Sequence, residues 1–381
     1  MIVFGCLHRC WKNIQRNNAE GVSQFFSVHL TSFIISVLGS KRRFLFAFVF
    51  VALGLVCSEV SSVSVRDVAD NVEDRAMSGM PNNGMCPPKP YASAPFTGSS
   101  VTAQVVVGST SDLYDSGLVE GPVWINATLY LSSFSRGKVP PSTILTLQTD
   151  GSLAVAIPNA GSNGLAVDAD GMIVAATHDD GGLSRYNPAN GERTVIVNSY
   201  MGSRLNSPND LSIASDGTIF FTDPNWQAPS PDPQPVEGVY RVNPAGVITL
   251  VDGSIGKPNG IALSNDEKWL YVGHPDGMVR YAVAADMTVT TPGIAFGSGL
   301  AGVDGLAMDC ADNIYVTQHS DGVVVVLNAD GATIGTINVA PSLTNAAFGG
   351  PEGKTLYLTA GDPAAGGAVY SVELEIPGRP Y

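Results

Sequence analysis

Six segments of similar sequence recur through the chain, and this repeat constrains the fold more than any other feature. Each copy opens with one polar residue, continues into a short apolar run, and reaches a second apolar run after a turn. Most copies add a third run, such as the one at Gly238–Val242. The openings lie 41 to 50 residues apart, at Glu120, Asn163, Asn209, Asn259, Asp304 and Asn345.

A period of about 40–50 residues with up to four short strands per unit is typical of a β-propeller blade. A helical solenoid of that period would need apolar stripes at a 3.6-residue spacing, and residues 101–381 show no convincing one. We therefore predict an all-β fold, a six-bladed β-propeller over residues 101–381. We expect the strand-like run at 100–107 to pair with the last blade and close the ring.

The N-terminal part of the chain has the layout of an export signal. Three basic residues at 41–43 precede an apolar run at 44–56, which is short for a membrane span. We predict that residues 1–58 are an over-extended start followed by a signal peptide, and that 59–100 form a linker. The mature chain would then be periplasmic or extracellular, without a stable membrane span. The alternative is an uncleaved signal anchor.

The net charge of the chain after residue 58 bears on whether it binds nucleic acid. Residues 59–381 hold 14 basic and 33 acidic residues, a formal net charge of −19. So acidic a region argues against binding to nucleic acid, because phosphate binding requires a basic surface.

After export, Cys86 and Cys310 are the remaining cysteines. They form either a disulfide or two unpaired thiols.

The six opening residues are the candidate functional residues. The innermost strand of each blade lines the channel of a propeller, so one polar residue at the same place in every repeat gives a ring around one axis. Asn, Asp and Glu are depleted in strands, and strand propensity therefore does not explain them. Oxygen donors around an axis suit a hard cation such as Ca²⁺, rather than zinc held by His and Cys. The alternative is that Asn-Gly and Asp-Gly are ordinary turn pairs.

Several motifs in order make the resemblance to a known family specific. The chain resembles the gluconolactonase/regucalcin (senescence marker protein) family, as a bacterial-type member, over about residues 101–375. The motifs are Glu120-Gly-Pro-Val-Trp, Asn206-Ser-Pro-Asn-Asp, Phe221-Thr-Asp-Pro, Lys257-Pro-Asn-Gly, Val303-Asp-Gly-Leu-Ala and Asn345-Ala-Ala-Phe-Gly-Gly. The resemblance implies a six-bladed propeller with a calcium ion, or another divalent cation such as Zn²⁺, Mg²⁺ or Mn²⁺, in its channel.

The resemblance also implies site residues and a reaction. It places the metal ligands on Glu120, Asn209, Asn259 and Asp304. The implied activity is hydrolysis of a small-molecule lactone or related ester. The cation polarises the carbonyl, and Asp304 takes a proton from the attacking water as general base.

Other residues are candidates for substrate binding. We expect Asn163 and Asn209 to contact substrate from the ring, and His178 to contact it from near the channel mouth. A channel-lining turn at Asn163 and a structural histidine at His178 are the alternatives. His319 is expected to be structural. Asp223 either buttresses the site or begins a turn.

Two other functions remain open at this point. One is a propeller that binds calcium or a ligand without turnover, and the other is a paraoxonase-like ester or organophosphate hydrolase. The absence of a Gly-x-Ser-x-Gly motif gives no support to a serine hydrolase. Animal members of the family carry a basic residue two places before the third-blade Asn, whereas this chain has Ser207. The identity of the substrate is therefore open.

Overall fold

The computed structural model describes residues 86–108, 118–134, 142–362 and 366–380, and every regular element in these ranges is a β-strand. The predicted signal region and most of the predicted linker lie outside the described residues. In chain order the strands are β1 (Ser100–Thr102), β2 (Gln104–Val107), β3 (Leu118–Ile125), β4 (Thr128–Phe134), β5 (Thr143–Leu147), β6 (Leu153–Ile157), β7 (Leu165–Val167), β8 (Ile173–Thr177), β9 (Gly182–Tyr186), β10 (Arg193–Val197), β11 (Leu211–Ile213), β12 (Ile219–Asp223), β13 (Gly238–Val242), β14 (Ile248–Asp252), β15 (Ile261–Leu263), β16 (Trp269–His274), β17 (Gly277–Ala282), β18 (Ile294–Ala295), β19 (Val303–Met308), β20 (Ile314–Gln318), β21 (Val323–Leu327), β22 (Thr333–Asn338), β23 (Leu343–Gly349), β24 (Thr355–Asp362) and β25 (Gly366–Glu373).

These strands form the six blades that the repeat predicts. Blades 1 to 5 are the antiparallel sheets β3–β6, β7–β10, β11–β14, β15–β18 and β19–β22. Blade 6 consists of β23, β24 and β25 with β2 as its outermost strand. Strand β2, the second part of the run predicted at 100–107, therefore completes the last blade as expected. The first residues of the run predicted at 100–107 form the separate strand β1, which pairs in parallel with β22 of blade 5, so for these residues the predicted pairing with the last blade is wrong.

The hydrophobic core lies between neighbouring blades. One cluster joins Leu183 of blade 2 to Phe221 of blade 3, and another joins Val369 of blade 6 to Leu131 of blade 1. All four side chains have no exposed surface. Burial of apolar side chains between successive sheets thus holds the ring together and closes it.

A disulfide between Cys86 and Cys310 settles the cysteine question that the sequence left open. Cys310 follows β19, whose opposite end carries Asp304. The C-terminal segment covers the same end of the blade, where the Cys310 amide donates to the carbonyl of Pro377 at 2.8 Å. Residues before and after the propeller strands are therefore fixed to blade 5 at the end remote from the ring residues.

No helix among the described residues is long and apolar enough to span a membrane.

Candidate active site

The six residues that open the repeats, called the ring residues here, occupy equivalent places at one end of the innermost strands. In blades 2, 3 and 4 the backbone N–H of the ring residue donates to the second strand of its own blade. The pairs are Asn163 to Ala176 at 2.8 Å, Asn209 to Thr222 at 2.9 Å, and Asn259 to Gly273 at 2.8 Å. These equivalent hydrogen bonds put the ring residues of blades 2, 3 and 4 at the same position relative to the second strand of each blade.

In blades 1, 5 and 6 the ring residue lies at an irregularity of the strand. In blade 1 the pairing register shifts just after Glu120. In blades 5 and 6 it shifts within the short stretch that contains Asp304 or Asn345. A bulge of this kind re-aims a side chain and is common beside active sites. None of the ring residues forms a hairpin turn, so the interpretation of Asn-Gly and Asp-Gly as ordinary turn pairs is wrong.

The glycine that follows most ring residues permits the close approach of neighbouring blades. The N–H of Gly164 donates to the carbonyl of Asn209 at 2.7 Å, and the N–H of Gly260 donates to that of Asp304 at the same distance. A Cβ at Gly164 would lie 2.6 Å from the Asn209 carbonyl oxygen, which no side chain tolerates. Glycine is therefore needed here for blade packing.

Carboxylates of three different blades lie within electrostatic reach of one another. Glu120 is only 4% exposed, and burial raises the pKa of its carboxyl well above the ordinary value, with further increases from Asp304 and Asp210. Burial also raises the pKa of Asp210 to about 7. The amide Nδ2 of Asn345 donates to Glu120 Oε2 at 3.0 Å and to Asp210 Oδ2 at 3.3 Å. A positive charge at this place would stabilise the ionised carboxylates.

Three asparagine side chains supply further oxygen atoms at the site. The side chains of Asn209 and Asn259 make no hydrogen bond to any described residue. Asn163 is 1% exposed, and its Oδ1 is buried without a hydrogen-bond partner among the described residues. Buried polar atoms are normally satisfied, so the Oδ1 of Asn163 is available to accept a hydrogen bond.

His178 lies beside Asn163 and is enclosed. Its Nδ1 is 3.4 Å from Asn163 Nδ2, and its Nε2 is 2.6 Å from the Ser142 hydroxyl. Burial lowers the pKa of His178 to about 4, so the imidazole is neutral at physiological pH. At 2% exposure the side chain of His178 is buried, which favours the structural role over direct contact with a substrate.

Asp304 contacts a histidine that sequence reasoning left as structural. Its Oδ2 lies 3.2 Å from Nδ1 of His319. The exposed fraction of the Asp304 side chain is 14%. The spacing could have shown this contact, because His319 follows Asp304 by the same 15 residues as His178 follows Asn163.

Asp223 holds the loop that precedes the third-blade ring residue. Its two carboxylate oxygens accept the backbone N–H groups of Asn206 at 2.9 Å and Ser207 at 2.8 Å. Ser207 is fully buried, and its hydroxyl donates to the carbonyl of Pro224 at 2.6 Å. The hydroxyl of Ser207 therefore supports the loop rather than facing the channel.

Sequence reasoning missed Asp210 and the role of Asn345. Asp210 stands where Glu120, Asn163, Asn259 and Asp304 are followed by glycine, so its acidic side chain was a readable signal. Below the ring, Asp210 and Asn345 line a cavity of about 1120 Å³ that continues along the channel to Arg379.

The candidate ligands offer the type of oxygen atom that a divalent cation such as calcium accepts. No group of three or more His, Cys, Asp or Glu side chains in the described ranges is arranged to hold a metal. The candidate donor set is instead mixed, with two carboxylates, from Glu120 and Asp304, and the amide oxygens of Asn209 and Asn259. Calcium accepts carboxylate and amide oxygens together. The unpaired amides and the mutually repelling carboxylates are what such an ion would satisfy.

A family model and two curated relatives agree on the family of this chain. Residues 118–362 match the model of the SMP-30/Gluconolactonase/LRE-like region. The chain is 30% identical over 271 residues to the gluconolactonase of Zymomonas mobilis, covering 63% of this chain and 75% of that protein. It is 27% identical to the lactonohydrolase oryL of Aspergillus oryzae, spanning 62% of this chain and 64% of that protein.

A solved structure agrees with these relatives. A gluconolactonase from Xanthomonas campestris superposes with a TM-score of 0.59 at 26% identity, over 76% of this chain and 99% of that one. The family model spans most of the propeller, from the first blade to the last. The chain belongs to the SMP-30/gluconolactonase/LRE-like family.

Proposed function

We propose that this chain is a metal-dependent carboxylic-ester hydrolase that opens a small-molecule lactone. Family membership and the names of its relatives, which include gluconolactonase and lactonohydrolase, support lactone hydrolysis. One observation carries the site assignment. Glu120 and Asp304, from blades 1 and 5, lie in electrostatic reach of each other in a channel where Asn209 and Asn259 present unpaired amides.

Glu120, Asn209, Asn259 and Asp304 would hold the cation. When bound, the ion supplies Lewis acidity that polarises the lactone carbonyl and stabilises the negative charge developing on its oxygen. Calcium is the proposed ion because every donor is an oxygen, although other divalent cations such as Zn²⁺, Mg²⁺ or Mn²⁺ also accept oxygen ligands.

The residues of the chain perform the proton transfer and the orientation. Asp304 accepts a proton from the water that attacks the carbonyl carbon. The ring C–O bond then breaks, and the departing oxygen takes up a proton, which gives a hydroxy acid. Asn163 and Asn209 orient the substrate from the channel wall. His178 fixes the amide of Asn163 through the 3.4 Å contact.

Proton release from a panel of substrates tests this proposal. The panel contains hydroxylated and unsubstituted five- and six-membered lactones, an aryl ester and an organophosphate. We expect turnover of a lactone that is abolished by a chelator, restored by Ca²⁺, and lost in Asp304→Ala but not in Asp216→Ala, which changes an exposed turn. Cation binding without turnover would favour the non-catalytic binding propeller. Preference for the aryl ester or organophosphate would favour the paraoxonase-like alternative.

Export is part of the proposal. The Cys86–Cys310 disulfide supports it, because structural disulfides persist in oxidising compartments. We propose that the mature chain is periplasmic or extracellular. Mass spectrometry of the mature N-terminus tests this, and a chain that retains Met1 would contradict it.

A further inference from the structure

The imidazole of His319 is held between two oxygens of different blades. Its Nδ1 lies 3.2 Å from Oδ2 of Asp304 and 3.0 Å from the backbone carbonyl oxygen of Leu343. A carbonyl oxygen only accepts hydrogen bonds, so Nδ1 carries the proton and donates. The Asp304 Oδ2, 3.2 Å from the same nitrogen, is therefore in electrostatic contact with the N–H that Leu343 accepts.

The backbone around His319 is fixed on both sides. The N–H of His319 donates to the carbonyl of Gly302 at 2.9 Å, and the carbonyl of His319 accepts the N–H of Ser342 at 2.8 Å. The hydroxyl of Thr317 lies within hydrogen-bond distance of two backbone carbonyl oxygens, that of Gly305 in blade 5 at 3.0 Å and that of Thr344 in blade 6 at 2.8 Å. The imidazole thus has a defined position relative to the start of β19.

The equivalent positions in other blades show that the propeller does not require a histidine here. By the pairing register of the first two strands, blades 3 and 4 have Pro224 and Pro275 at this place, which carry no side-chain donor, although His274 is the residue 15 positions after Asn259. In blade 2 the place is taken by His178, whose ring faces the amide of Asn163. Blade 5 combines a side-chain donor with an aspartate as its ring residue, so the contact concerns the chemistry of Asp304 rather than the fold.

We propose that His319 is a positioning residue that holds Oδ2 of Asp304 and leaves Oδ1 for the cation. Fixing one oxygen selects a single orientation of the carboxylate, which pre-organises the site. The inference rests on the proposed function, because it takes Asp304 as a metal ligand and as the proton acceptor.

Three substitutions distinguish the effect of losing the Nδ1–H donor from the effect of losing the volume of the imidazole. In His319→Asn the amide Nδ2 replaces the Nδ1 donor at nearly the same distance from the backbone. In His319→Gln the donor is displaced toward the place of Nε2, and in His319→Ala it is absent. His274→Asn is the matched control, since His274 lies in the β16–β17 hairpin, where its Nδ1 accepts the N–H of Asp276 at 3.4 Å.

The measurements are the affinity for Ca²⁺ by calorimetry on chelator-treated protein, and kcat and KM on the best lactone. Loss of a residue that orients a metal ligand typically costs about 10–100-fold in metal affinity or in activity. We expect a loss of that size in Ca²⁺ affinity and in kcat for His319→Ala and His319→Gln, with KM within about threefold of wild type. We expect His319→Asn and His274→Asn to stay within about threefold in every parameter.

Wild-type values for His319→Ala, or an equal loss in His319→Asn and His319→Ala, would overturn the inference. If the alanine variant does not fold, the Asn and Gln pair decides, because both keep a polar side chain of similar size. A wild-type chain that binds Ca²⁺ but hydrolyses no lactone refutes the proposed activity, and the calorimetric affinities alone then decide the role of His319. A wild-type chain that binds no cation overturns both.

Discussion

The amide nitrogen of Asn345 lies 3.0 Å from Oε2 of Glu120, and this hydrogen bond joins the last blade to the first beside the channel. The same nitrogen is 3.3 Å from Asp210 Oδ2, so one amide serves two buried carboxylates. Removal of the donor leaves both acceptors without it, and a buried unpaired group costs about 1–3 kcal/mol. We expect Asn345→Ala to lower the free energy of unfolding by that amount in urea titrations.

The control for this prediction is Asn198→Ala. Asn198 is exposed and its side chain makes no hydrogen bond among the described residues, so the change should stay within about 0.5 kcal/mol of wild type. Equal unfolding free energies for Asn345→Ala and Asn198→Ala would show that the bridge contributes nothing.

The glycines behind the ring residues predict a second effect on stability. A Cβ at Gly164 would lie 2.5 Å from Asp210 Oδ1, whereas a Cβ at Gly256 would meet nothing within 4 Å. Overpacking a rigid contact typically costs about 1–3 kcal/mol. We expect Gly164→Ala to lose that much by urea unfolding and to lose most Ca²⁺ binding, while Gly256→Ala does neither. A fully stable Gly164→Ala would mean that the blades are not held as closely as the structure shows.

His178 predicts a pH dependence of stability. Its pKa is about 4 in the folded chain against an ordinary value of 6.5. The unfolded chain therefore binds more protons between these values, and the free energy of unfolding rises with pH through this window. From pH 5 to pH 7 the gain from this one group is about 2 kcal/mol.

Urea unfolding of wild type and His178→Gln at the two pH values checks this. The variant should show the smaller difference between pH 5 and pH 7, because Gln does not titrate. His274→Gln is the comparison, since His274 is only partly buried and should remove a smaller part of the difference. Identical pH dependence in wild type and His178→Gln would contradict the burial of this histidine.

The disulfide predicts stability without a direct effect on the site. Cys310 lies beyond the end of β19 remote from Asp304, and removal of a native disulfide typically costs about 2–5 kcal/mol. We expect the double variant Cys86→Ser/Cys310→Ser to lose stability by this amount and to become insensitive to reductant, with kcat at room temperature within about twofold. A loss of kcat that exceeds the loss of folded protein would show that the two ends of blade 5 are coupled.

Much of the fold was predictable because the repeat carries it. The spacing of the ring residues gave the number of blades and placed Glu120 and Asp304 near a common axis. The closing role of β2 followed from the need to remove a free sheet edge. The pairing of β1 with β22 was not predictable, since a three-residue parallel strand leaves no periodic signal.

The details of the site were less predictable, because they depend on contacts between blades. His178 is buried by Phe134 and Ser142 of the neighbouring blade. The sequence of blade 2 alone therefore does not predict its burial. The contact of Asn345 with Glu120 spans 225 residues of sequence. Asp210 was readable as an acid where most blades have glycine, but only the fold shows that it shares a donor with Glu120.

Calorimetric titration of Ca²⁺ into chelator-treated wild type, Glu120→Gln and Glu192→Gln tests the central claim most directly. Glu192 is an exposed glutamate of blade 2 and serves as the matched control. We predict one site per chain in wild type and Glu192→Gln, and loss of at least about 100-fold in affinity together with lactone hydrolysis in Glu120→Gln. Hydrolysis at the wild-type rate by Glu120→Gln, or by wild type in excess chelator, would contradict the account.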